Sequence, residues 1–137
     1  MSTRHERPLE DGWTLPASWY TDAALHERAR ERLFAGAWTY AGPTEWVSAP
    51  GSYFAAHIGH IPVAVVRGTD GTLRGLFNVC RHRGSQVVPV DPEAESPVPC
   101  RAASLRCPYH SCTYDLAGRL MRAPHTEDVS DFVPAQF

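Results

Sequence analysis

Two short stretches of the chain each carry one cysteine and one histidine: CRHRG, residues 80 to 84, and CPYH, residues 107 to 110. Thiolate sulfur and imidazole nitrogen are the donors of zinc sites and of iron–sulfur centres. Either spacing alone arises by chance. Together, each following a strand-like run and flanked by Gly or Pro, they place Cys80, His82, Cys107 and His110 on two loops at one end of a sheet. Structural zinc sites usually set two cysteines on one element and two histidines on another. Mixing the types in each loop disfavours a Cys2His2 zinc site without removing it. It suits a two-iron, two-sulfide centre in which one iron takes two thiolates and the other two imidazoles, so that each loop reaches both irons.

The elements that must position these loops are short and β-rich. SYFAAHI, IPVAVVR and LRGLFNV alternate and are rich in β-branched and aromatic residues, and Gly59-His60 and Asp70-Gly71 mark turns between them. CRHRG follows the third run, and CPYH follows a shorter strand through Ser104 to Arg106. TYDLAGRL reads as a further hairpin with Gly118 at its turn. Between the two motifs, VDPEAESPVPC is proline-rich and acidic and is expected to be a loop throughout. Upstream, Thr21 is expected to cap an amphipathic helix that aligns Leu25, Ala29 and Leu33 and closes at Gly36, and whose expected role is packing against the rest of the domain. Residues 1 to 17, with Pro8, Gly12 and Pro16, read as an arm.

Bulk properties narrow the function classes. A chain of 137 residues suits one domain with extensions. A formal net charge of -2 gives no electrostatic case for nucleic acid or an anionic membrane. No apolar run has the length of a secretory signal or a membrane span, so a soluble cytoplasmic protein is expected. In that reducing compartment four cysteines point to metal or redox chemistry before disulfides. Cys100 and Cys112 read as small buried or loop residues, with a mutual disulfide or an alternative ligand role as lesser readings. His57 and His60 are expected to face solvent, and Arg81 and Arg83 to be surface charges, docking of an acidic electron donor being the lesser reading. His5, His26 and His125 share no ligand spacing.

FNVCRHRGSQVV and CPYHSCTYDLAGRL resemble the two cluster loops of the N-terminal domain of the α subunit of Rieske non-haem iron oxygenases, the ring-hydroxylating family. LPASWYTDAALHERARERLFAGAWTYAG is similar to the lead-in that those subunits place before the sheet. The resemblance implies a mainly β fold: a small antiparallel Rieske-type sandwich with a cluster-binding subdomain, preceded by one amphipathic helix. The implied division is an arm and helix over residues 1 to 36, a Rieske iron–sulfur domain over 37 to 125 and an extension over 126 to 137 towards a catalytic domain. Carried over by position, Cys80 and Cys107 would bind one iron of a Rieske 2Fe-2S cluster, and His82 and His110 the other. Exchanging two thiolates for neutral imidazoles changes the oxidised centre's formal charge from about -2 to about 0 and raises the potential from about -400 mV into a range of roughly -150 to +300 mV. Respiratory Rieske proteins carry a further cysteine pair and a sulfide-bonding serine, which Ser85, Tyr109 and Cys112 do not match. The low end of that range is therefore expected.

The family usually reads CPYHGW. Here Ser111 and Cys112 replace a glycine able to take positive φ and an aromatic residue that would pack below the loop. A hydroxylating subunit also needs a mononuclear Fe(II) held by two histidines and a carboxylate. No such spacing occurs in this chain, so that iron is expected only in the missing domain, and turnover of substrate is not expected from this chain alone. The implied role is to accept single electrons from a ferredoxin or flavin reductase, with homo-oligomerisation if the full subunit exists. A freestanding Rieske-type ferredoxin is the alternative.

Overall fold

A computed structural model describes residues 12, 14–34, 36–90, 96–126 and 128–136. His5, most of the expected N-terminal arm and the centre of the proline-rich loop lie outside the described residues. The chain forms two units, Met1–Thr39 and Tyr40–Phe137.

In the first unit, α1 (Ser18–Thr21) is followed by α2 (Ala23–Ala29), which continues as a π-helical turn over Arg30–Phe34. The helix begins one residue later than the sequence suggests. Asp22, in extended backbone at φ -82° and ψ 110°, is the N-cap, and its Oδ1 accepts from the backbone N–H groups of Ala24 (2.8 Å) and Leu25 (3.2 Å). Thr21 instead ends the preceding turn, its Oγ1 donating to the Ala17 carbonyl. None of these helical residues is buried.

The second unit is built on two antiparallel sheets. The larger has the order β3-β2-β1-β4, from β1 (Ser52–Ile58), β2 (Ile61–Arg67), β3 (Leu73–Phe77) and β4 (Cys100–Arg101). The smaller has the order β5-β6-β7, from β5 (Leu105–Arg106), β6 (Thr113–Tyr114) and β7 (Leu120–Arg122). β1 and β2 are the runs expected from alternation, and Gly59 (φ 62°) and Gly71 (φ 76°) supply the left-handed residues of the turns that follow them. The proline-rich stretch is not a loop throughout. Its end, Cys100–Arg101, pairs with Tyr53 and Ser52 as an edge strand.

Period-2 alternation divides the larger sheet's faces. Phe54 and Ala56 of β1 pack with Val47, and Phe54 meets Trp46 edge to face with ring centroids 5.3 Å apart. Ala64 and Val66 of β2 face the other way, into a core shared with Leu105, Tyr114, Leu116 and Leu120 of the smaller sheet's segment. Cys80, Cys107 and Cys112 belong to that second core, so the thiols sit where the two sheets join.

Candidate metal centre

Two loops form the site. The first leaves β3 and is closed at its base by one side chain. Asn78, 1% exposed, accepts at Oδ1 from the backbone N–H groups of Val87 (3.1 Å) and Val88 (2.8 Å), and its Nδ2 donates to the Val88 carbonyl (2.6 Å). The second loop joins β5 to β6 and is closed by the backbone pairs Leu105↔Tyr114 and Arg106↔Thr113.

Above these bases the loops share a hydrogen-bond pattern. In the first, the Cys80 N–H donates to the Ser85 carbonyl (2.7 Å) and the Gly84 N–H returns to the Cys80 carbonyl (2.9 Å). In the second, the Cys107 N–H donates to the Cys112 carbonyl (2.9 Å) and the Ser111 N–H returns to the Cys107 carbonyl (3.0 Å). Each turn needs a left-handed residue at its fourth step. Gly84 supplies it at φ 71° without a Cβ penalty, whereas Ser111 adopts φ 63° in spite of one. The chain thus keeps the backbone shape that the Gly-to-Ser exchange put in question. Arg106 Nη2 donates to Ser111 Oγ (2.8 Å), a bond glycine could not make.

The four residues singled out by spacing form two pairs, sorted by type. Cys80 and Cys107 are each 2% exposed and their thiols are hydrogen-bonded. His82 and His110 are exposed, with ring centroids 4.8 Å apart in an edge-to-face arrangement, and the Tyr109 ring lies against His110 at 3.7 Å. Among the described residues, no three His, Cys, Asp or Glu side chains converge around a single metal position. A thiol pair and an imidazole pair carried on the same two loops match instead the donor types of a bridged two-iron centre, in which inorganic sulfides complete each iron's coordination.

Electrostatics favour the donor forms. Burial opposes ionisation of Cys80, but hydrogen bonds from Tyr114, the His82 backbone, Cys107 and Cys112 outweigh it and hold the thiol below its ordinary pKa. Partial desolvation, then the charges of His82 and Arg83, hold the His110 imidazole below its ordinary value and favour the neutral, ligating ring. Burial, then the hydrogen bond to Cys80, pushes the Tyr114 phenol up, so it stays a donor.

Tyr114 was not singled out by the sequence. Its hydroxyl lies 3.3 Å from Cys80 Sγ and accepts from the Arg81 N–H at 3.2 Å. Once Cys80 is a thiolate the phenol carries the only proton between them, so Tyr114 is then the donor to sulfur. Asn78 was missed as well, since its partners lie nine and ten residues away and have no sequence signature. The remaining readings sort simply. All four cysteines are free, Cys100 being exposed and Cys112 buried. His57 and His60 are exposed, His57 lying 3.3 Å from the Gln86 amide, and Arg81 and Arg83 are exposed.

This geometry agrees with the comparisons to known proteins. Residues 37–133 match the model of the Rieske [2Fe-2S] domain, and the chain belongs to that family. The family's cofactor is a Rieske 2Fe-2S cluster, which the donor set fits. The chain is 34% identical over 124 residues to the chloroplastic choline monooxygenase of Amaranthus tricolor, covering 88% of this chain and 26% of the relative. It is 37% identical over 126 residues to the glycine betaine monooxygenase oxygenase subunit of Pseudomonas aeruginosa, covering 92% and 28%. Naphthalene 1,2-dioxygenase from a Rhodococcus species superposes with a TM-score of 0.74 at 32% identity, covering 88% of this chain and 26% of that one. The chain therefore spans about a quarter of the length of these relatives, all of them oxygenases. Among the described residues no helix is long and apolar enough to cross a membrane.

Proposed function

We propose that residues 37 to 125 form a one-electron transfer module in which Cys80 and Cys107 hold one iron of a Rieske cluster and His82 and His110 the other. In this reading the module is the electron-accepting domain of an oxygenase terminal component in a reducing cytoplasm. When bound, the cluster supplies reversible one-electron chemistry at a potential above that of four-thiolate centres. The chain's residues do the rest. The core around Cys80 and Cys107 excludes water from the thiolates, the turn at Gly84 and Ser111 aims both loops, and Tyr114 donates to the Cys80 sulfur. The exposed imidazole edges leave a route by which a donor such as a ferredoxin or flavin reductase reaches the centre.

One observation carries the reading: twin turns present two buried thiols and two neighbouring imidazoles, sorted by donor type. The relatives' names range from choline and glycine betaine to naphthalene, so the Rieske domain match supports electron delivery and no one substrate. One of the similar structures, a quaternary ammonium Rieske monooxygenase, is described with inter-subunit electron transfer, which supports a homo-oligomeric setting in which the accepting mononuclear iron belongs to a neighbouring subunit.

Anaerobic reconstitution followed by EPR of the dithionite-reduced protein tests the ligand set. A rhombic signal with low average g, at about two irons and two sulfides per chain, is expected. A silent spectrum with stoichiometric zinc overturns it. The coding region after Phe137 tests the setting: an adjoining frame with a two-His, one-carboxylate motif supports the oxygenase role, and a stop before an unrelated gene favours the freestanding carrier.

A further inference from the structure

The thiol pocket holds one cysteine more than the proposed cluster uses. Cys112 is 6% exposed and stands at the step of the second turn that Ser85 occupies in the first. Its thiol is hydrogen-bonded to Cys80, while Cys107 acts on it only through charge. It also lines a surface cavity of about 490 Å³ with His82, His110, Arg83 and Phe132, which gives a small oxidant a path to the sulfur. Cys80 is also hydrogen-bonded to Cys107, so the three thiols share one core, and Cys112 is the one of them that the proposed cluster does not use.

We propose that Cys80 and Cys112 form a redox-active dithiol that closes to a disulfide when the protein without its cluster meets hydrogen peroxide. The balance is simple: two thiols give up two protons and two electrons, the peroxide O–O bond breaks, an S–S bond forms, and two molecules of water leave. The disulfide occupies one of the four residues proposed to hold iron, so it blocks cluster insertion until a dithiol reductant reopens it. That consequence rests on the ligand assignment above; the disulfide itself does not.

The experiment uses the 137-residue chain with Cys100→Ser, which removes the exposed thiol that could pair between molecules. After cluster removal with a chelator under argon, the protein is treated with stoichiometric peroxide and its thiols are counted in denaturant. The expected result is loss of two of three thiols, a Cys80–Cys112 link in the peptide map, and iron–sulfide reconstitution that fails before dithiothreitol and recovers after it. Adding Cys112→Ser should abolish the two-thiol loss, and Cys112→Ala repeats the test should serine disturb the turn. If two thiols still disappear in these variants, the pair is Cys80–Cys107 and the proposal fails; it fails equally if Cys112 stays titratable in the parent. A reduced parent that takes up no iron refutes the ligand assignment instead and leaves the thiol count to decide the dithiol.

Discussion

The two loops of the site have the same turn but are specified by different means. The first closes on one carboxamide, turns on a glycine and ends at Ser85. The second closes on a backbone ladder, turns on a serine at φ 63° and ends at a buried cysteine. Even the histidines differ in step, two residues after Cys80 and three after Cys107. A loop geometry can thus be held by side-chain hydrogen bonds or by strand pairing, provided both cysteines reach the same core.

Six substitutions break or sharpen this comparison. The largest effect is expected at the proposed ligands, where the loops should be equivalent: His82→Ala and His110→Ala should each abolish the Rieske absorption and EPR signal, and a cluster surviving in one alone would show that the loops are unequal. Next is Asn78→Ala, which strands two N–H groups and a carbonyl at the base of the first loop and should lower unfolding free energy by about 3 kcal/mol in denaturant titration. The second loop has no single residue of that weight. Tyr114→Phe removes a donor to Cys80 and none to Cys107. A hydrogen bond of about 1 kcal/mol, placed on a one-electron couple, predicts a midpoint potential lower by roughly 40 mV in a spectroelectrochemical titration. The smallest effect separates the turns. Ser111→Gly should stabilise by about 0.5 kcal/mol, relief of the left-handed strain being partly offset by loss of the Arg106 bond, whereas Gly84→Ala should destabilise by about 1 kcal/mol in thermal melts.

Much of this was legible in the chain itself where the signal is local. β1 and β2 follow from alternation between Gly and Asp-Gly turns, and mixed Cys and His spacing at strand ends singles out the four residues that the two turns carry. The misses are non-local, or choices between equals. Thr21 and Asp22 are both good caps, and only backbone geometry selects Asp22. β4 follows Pro97 and Pro99, and its pairing partners lie about fifty residues earlier. Asn78 and Tyr114 act across ten and thirty-four residues through the folded core, a distance no motif encodes. The π-helical turn at Arg30–Phe34 likewise has no local sign in a run read as plain α-helix.

The Asn78 clasp makes the first loop something like a ring with its own buckle. Since Val87 and Val88 contribute only backbone groups to it, the exposed Arg83, which is neither a proposed ligand nor part of the buckle, is a natural place for substitution. A surface designed for a new redox partner could be written there while the sheets below stay as they are.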